Sequence, residues 1–255
     1  MNQKSDLIAV FDSGVGGISV LRQLLHRMPG ERYLYFGDTA NAPYGTRSTE
    51  QVRQLAVAAA DALVARGLKA LVVACNTATA AAITELRSRY PELLVVGVEP
   101  ALKVAADRYP GCRVGIMATP LTLAEEKLRV QIERFRNRCD ICLIPAPGLS
   151  ELVDAGKQKE PETEALLQQI LSPYVEKLDA VVLGCTHYPF AAEAISRILG
   201  DRTVLLDGGA GTAAHTFDCL QAQDLLEEGV GQVSFVFSRD HERLRKQAET
   251  MLRYG

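Results

Sequence analysis

The chain predicts an α/β fold: two similar α/β lobes with mainly parallel sheets, and an active site in the cleft between them. Three observations carry this. Short, nearly continuous aliphatic runs recur along the 255 residues, helical patterns separate them, and one strand–cysteine–helix plan occurs twice.

In order, the runs are LIAVF (7–11), YLYF (33–36), ALVVA (70–74), LLVVGV (93–98), RVGIM (113–117), ICLI (141–144), AVVL (180–183), TVLL (203–206) and VSFVF (233–237). Each has strand length and is nearly continuous in apolar character, as a strand covered on both faces requires. Between them lie helical patterns such as STEQVRQLAVAAADALVARG (48–67), which opens with Ser48 and Gln51 at capping-box spacing and closes at Gly67. Nine strands make a wide single sheet, and the repeated plan divides them instead. Residues 1–98 with 208–255 form a first lobe carrying Asp12 and Cys75, and 99–207 form a second carrying Cys185. No Gly/Ser linker, short repeat or low-complexity tract interrupts the pattern.

Hydrophobic residues make up 47% and charged ones 23%, with a net charge of −3. That small acidic excess, with Lys and Arg scattered among Asp and Glu, excludes a nucleic-acid surface and leaves small-molecule chemistry. MNQKSDLIAVFDSG reaches charge again at Asp12 after five apolar residues, too soon for a signal peptide, and no later run has membrane-spanning length. A cytoplasmic address follows, and six cysteines there are thiols rather than disulfides.

VVACNTATAAA (72–82) and VVLGCTHYPFAAEAI (181–195) each place a cysteine where a strand ends and a helix begins. There, unpaired backbone N–H groups and the helix dipole favour thiolate, which makes Cys75 and Cys185 candidate bases or nucleophiles. Asn76, Thr77, Thr186 and His187 beside them supply hydrogen-bonding groups where a packed thiol has apolar neighbours. His187 is placed to serve as a base or proton donor. Cys112 and Cys219 stand alone. Cys139 and Cys142 have metal or redox spacing but no second ligand pair, so Cys142 reads as core and no metal is expected.

FDSGVGG (11–17) is glycine-rich but not a dinucleotide fingerprint, because Ser19 stands where the third glycine belongs. Asp12 would repel a pyrophosphate; it suits an ammonium group or a neighbouring acid or base. A tight turn needing positive φ accounts for the glycines. FGDTANAPYGTRS (36–48), with Pro43, Tyr44 and Gly45 in succession, joins the same rim.

DSGVGG (12–17), GDTANAPYG (37–45), ACNTAT (74–79), VEP (98–100) and GCTHYP (184–189) together resemble the cofactor-independent aspartate/glutamate racemase superfamily, and GCTHYP with DSGVGG resembles its glutamate branch. The resemblance runs in order over nearly the whole chain. It implies a racemase acting on glutamate, in which one thiolate removes the α-proton and the opposite thiol returns one, supplying a D-amino acid for peptidoglycan. It further implies that Asp12, His187 and Asp154 assist the sulfurs. Ser13, Pro43, Tyr44, Gly45, Asn76, Thr77, Thr119, Thr186 and His187, with Asp12, match its substrate-binding positions. It implies no cofactor and a homodimer, and no lysine here stands where a Schiff base would need one.

The chain departs from the pattern at Glu125, Leu128 and Ala146, and at Asp154, which stands in for a glutamate. Racemisation of aspartate or another amino acid, a Cys185/His187 nucleophilic hydrolase, and a binding protein with an inert cleft remain alternatives. The hydrolase leaves Cys75 unexplained.

Overall fold

The computed structural model describes residues 3–98 and 101–253; Glu99 and Pro100 of the VEP stretch lie outside the described residues. Among the described residues a strand forms at every predicted run: β1 (Leu7–Asp12), β2 (Arg32–Gly37), β3 (Leu68–Val73), β4 (Leu94–Gly97), β5 (Arg113–Ala118), β6 (Asp140–Pro145), β7 (Ala180–Leu183), β8 (Val204–Asp207) and β9 (Gln232–Phe237). The helices between them are α1 (Ile18–Arg27), α2 (Thr49–Val64), α3 (Asn76–Arg89), α4 (Ala101–Arg108), α5 (Pro120–Ala124), α6 (Glu126–Phe135), α7 (Leu149–Asp154), α8 (Pro161–Leu171), α9 (Ala192–Leu199), α10 (Gly209–Ala222) and α11 (His241–Arg253).

The strands divide into a sheet ordered β4-β3-β1-β2-β9 and one ordered β6-β5-β7-β8, and every strand pairing is parallel. The two share one winding scheme. In the first sheet β2 lies on one side of β1 and β3 on the other; in the second, β6 and β7 flank β5 in the same way. Such a reversal opens a crevice at the carboxyl ends of the strands on either side of it. Asp12 ends β1 and Cys75 follows β3, while Thr119 and Cys185 follow β5 and β7. The repeated cysteine plan in the sequence is therefore the same crevice made twice.

Each sheet is covered on both faces. Ile8, Val10, Tyr35 and Val72 pack into one cluster with α1, α10 and α11, whereas Phe11, Leu71 and Val73 pack into another with α2 and α3. The second lobe repeats this with Met117 and Val181 on one face and Val114 and Ile116 on the other. Two-sided burial explains why the strands read as unbroken apolar runs.

Ser48 caps α2 as its spacing predicts: its Oγ accepts the Gln51 amide at 3.2 Å and the Gln51 side chain accepts the Ser48 amide at 3.0 Å. Gly67 closes the turn at a φ of 77°. Replacing Ser48 by alanine is expected to lower stability by about 1 kcal/mol, read from the urea midpoint.

Candidate active site

Cys75 is the N-cap of α3, and its Sγ accepts the Ala78 amide at 3.4 Å. The second cysteine does not repeat this. Cys185 is followed by a 3₁₀ turn over Tyr188–Ala191 whose N-cap is His187, so its sulfur does not head an α-helix. Its polar neighbour is His187 Nδ1, at 3.6 Å.

One narrow cavity is lined by both thiols, together with Ser13, Pro43, Tyr44, Gly45, Asn76, Thr77, Thr119, Asp154, Thr186 and His187. Every catalytic or substrate-binding candidate named from the sequence thus lines one cavity except Asp12, which is fully buried. Ser150 also lines the cavity; in GLSELVD nothing but its position one turn before Asp154 marked it. Among the described residues no group of three or more His, Cys, Asp and Glu side chains is arranged to hold a metal.

The lobes are hydrogen-bonded to each other around the cavity. Thr186 Oγ1 donates to Asp12 Oδ2 at 2.9 Å, Ser19 Oγ donates to the Thr186 carbonyl at 2.9 Å, and the Val15 amide donates to Asp154 Oδ1 at 3.0 Å. Across the cavity Thr77 Oγ1 lies 3.1 Å from Thr122 Oγ1 and 3.4 Å from Thr119 Oγ1. Glu125, one of the departures, accepts from Thr49 Oγ1 at 2.6 Å. Ser19, whose presence argues against a dinucleotide loop, is therefore a contact between lobes.

The glycines of DSGVGG answer to the same contact. None of Gly14, Gly16 and Gly17 has positive φ, so the expected turn is not their reason. A Cβ on Gly14 would fall on the Asp154 carboxylate, and one on Gly16 on the His187 ring. Only a residue without a side chain lets the second lobe approach this closely. The Pro-Tyr-Gly loop is held by Asp38, whose Oδ2 accepts from Tyr44 Oη at 2.7 Å and whose Oδ1 accepts from Ser238 Oγ at 3.1 Å.

Charge in the site is organised by burial. Desolvation raises the Asp12 carboxyl, opposed by His187, the Gly14 amide and Thr186. Burial, with the Asp12 charge second, pushes the Cys75 thiol up to about 12 against the Ala78 amide. The thiolate expected at a helix start is thus opposed, and the protonated thiol of Cys75 is favoured. Burial alone would lower His187, but the Asp154 carboxylate and Cys185 outweigh it and lift the imidazole well above its usual range. Asp154 is correspondingly held low, its own burial outweighed chiefly by His187. His187 Nε2 and Asp154 Oδ1 are 3.0 Å apart, an imidazolium–carboxylate pair.

The sign of each shift fixes where that pair stabilises the fold. Both contributions are fully present between the ordinary values of 3.8 for the carboxyl and 6.5 for the imidazole. Asp154's fades as pH falls through its lowered folded value, and His187's fades as pH rises through its raised one. In Asp154→Asn the imidazole loses its main support and burial dominates. The alkaline limb of any rate that needs the imidazolium is then expected to move about 1–3 pH units downward, measured as a pH–rate profile.

Two parallel-sheet lobes thus bring one thiol from each, with a carboxylate and an imidazolium, to a common cavity. The chain belongs to the Asp/Glu/Hydantoin racemase family, whose model matches residues 13–216. It is 45% identical over 207 residues to a glutamate racemase of Clostridium novyi, covering 81% of this chain and 80% of that one. Among solved structures, Escherichia coli glutamate racemase in complex with L-glutamate and the activator UDP-MurNAc-Ala superposes with a TM-score of 0.84 at 34% identity, over 98% of this chain and 95% of that one. The Francisella tularensis enzyme in complex with D-glutamate gives 0.85 at 27% identity, over 98% and 94%.

Proposed function

We propose that this chain is a glutamate racemase that interconverts L- and D-glutamate with Cys75 and Cys185 as its two acid–base groups. The observation that carries this is the meeting of both thiols, one from each lobe, in a single cavity. Inverting a carbon takes a proton from one face and returns one to the other, and a single fixed base reaches only one face. One sulfur, as thiolate, accepts the α-proton; the other, as thiol, donates its own to the opposite face, and the roles reverse for the other enantiomer.

Substrate charge prepares the site. An ammonium group beside Asp12 offsets the carboxylate that helps keep Cys75 protonated, and the His187 imidazolium faces Cys185 with a proton to give or a charge to share. Ser13, Asn76, Thr77, Thr119 and Thr186 supply donors for the carboxylates, and negative charge gathers on the α-carboxylate in the transition state. Pro43, Tyr44 and Gly45 close the side of the cavity. The closed cavity is only about 20 Å³, roughly one water, so glutamate enters by parting the lobes. We take these as 1–98 with 208–255 and 99–207. No cofactor takes part, and no membrane or nucleic-acid partner is called for.

The family resemblance supports a homodimer in the cytoplasm that supplies D-glutamate for peptidoglycan. Among the described residues no helix is long and apolar enough to cross a membrane.

The test is incubation of L-glutamate and L-aspartate together with the enzyme in deuterated water. Glutamate is expected to lose optical rotation while gaining α-deuterium, with aspartate unchanged. Preferential exchange of aspartate would overturn the substrate, and a covalent acyl-enzyme in the mass spectrum would overturn the chemistry.

A further inference from the structure

Cys112 and Cys139 lie outside the cleft and have no part in racemisation. The sequence shows Cys112 alone and pairs Cys139 with Cys142 as CDIC; the structure pairs them differently. Cys112 Sγ and Cys139 Sγ are 3.2 Å apart, and both residues are buried in the same cluster under the second sheet. The reason is register. Arg113 of β5 is opposite Asp140 of β6, and the Asp140 amide donates to the Cys112 carbonyl at 2.9 Å, so the two cysteines stand one step before the first registered pair. Neighbouring strands run about 4.8 Å apart, within the Cα separation of about 4.4–6.8 Å that a disulfide spans. Cys142, three residues on in the strand, packs instead with the cluster on the other face of the sheet.

We propose that Cys112 and Cys139 form a reversible redox site, a dithiol that closes to a disulfide when the protein meets a peroxide. Cys139, itself 4% exposed, lines an open hollow on the surface together with Gly111, Arg136, Asn137, Arg138 and Asp140, the route by which a small oxidant approaches it. Cys139 lines this hollow and Cys112 does not, which makes Cys139 the attacking sulfur. Its thiolate attacks a peroxide oxygen: the S–O bond forms, the O–O bond breaks, and the departing hydroxide leaves as water with the Cys139 proton. Cys112 Sγ then displaces the hydroxyl from the sulfenic sulfur, and the S–S bond forms as a second water departs with the Cys112 proton. Each sulfur gives up one electron, and hydrogen peroxide takes both.

The bridge closes the segment from β5 through α5 and α6 to β6. A cross-link over a loop of this length restricts the unfolded chain and raises stability. It sits at the amino ends of β5 and β6, while Thr119 and Cys185 follow the carboxyl ends of β5 and β7, so it staples the second lobe from the side away from the thiol pair.

The experiment treats the intact protein with hydrogen peroxide and maps its peptides without reduction. The expected result is a Cys112–Cys139 cross-linked peptide lighter by two hydrogens, with a Tm raised by several degrees and restored to the starting value by dithiothreitol. Cys142→Ser keeps the cross-link and Cys112→Ser loses it, with racemisation before oxidation unchanged in both. A Cys139–Cys142 link, or sulfinic acid at Cys139 without any cross-link, would overturn the proposal. Mapping the unaltered protein decides the matter even if Cys112→Ser fails to fold.

Discussion

Cys75→Ala and Cys185→Ala are each expected to lower racemisation in both directions by about 10²–10⁴-fold. In the proposed mechanism each direction uses both sulfurs, one as acceptor and one as donor, so either deletion impairs both. A second readout separates this from simple damage. In deuterated water the thiol that remains still faces one side of the carbon, so each variant exchanges the α-proton of one enantiomer only, without inversion, and the two variants choose opposite enantiomers. If both exchange the same enantiomer, the sulfurs share one face and the two-base arrangement fails. The alanine variants are expected to fold: both thiols are buried, at 5% and 8% exposed, but losing a single sulfur leaves only a small void at the cavity wall.

Lys69→Met is expected to destabilise the protein by about 3–5 kcal/mol, with a Tm lower by roughly 6–20 °C. The Lys69 and Glu31 side chains form an ion pair with neither exposed at all. Lys69 Nζ also donates to the carbonyls of Lys4 and Leu225, and Glu31 Oε1 accepts the Glu227 amide at 2.9 Å. The pair therefore ties the N-terminal segment and the stretch after α10 to β3. Removing the ammonium leaves an uncompensated buried carboxylate, which is where the energy is lost. Changing Glu31→Leu as well is expected to restore part of the stability, because the unpaired charge goes with it. A loss under 1 kcal/mol for Lys69→Met alone would show that water reaches Glu31.

The parts of this molecule written in local order were legible in its sequence. Parallel strands covered on both faces have to be short apolar runs, and Ser48 with Gln51 needs only its own helix. The thiol of Cys75 at the start of α3 could be located in the same way, but its protonation could not, since burial and Asp12 set that. What stayed hidden depends on partners far away in the chain. Asp12 meets Thr186 across 174 positions and Val15 meets Asp154 across 139, so the side chains were recognisable as types and their pairing was not. Gly14 and Gly16 appeared to serve a turn because the residues they make room for, Asp154 and His187, belong to the other lobe. Asp38 holds Tyr44 from six positions away and Ser238 from 200, and no local pattern marks the second contact. Cys112 and Cys139 are brought together by the register of β5 and β6, which no spacing reveals.

The central claim is that a single carbon is held between two sulfurs, and a crystal structure with glutamate bound tests it most directly. Cys75 Sγ and Cys185 Sγ are predicted to lie about 3–3.5 Å from Cα, on opposite faces of the plane formed by its three other substituents. Finding glutamate with one sulfur in contact and the other turned away, or both on the same face, would contradict it.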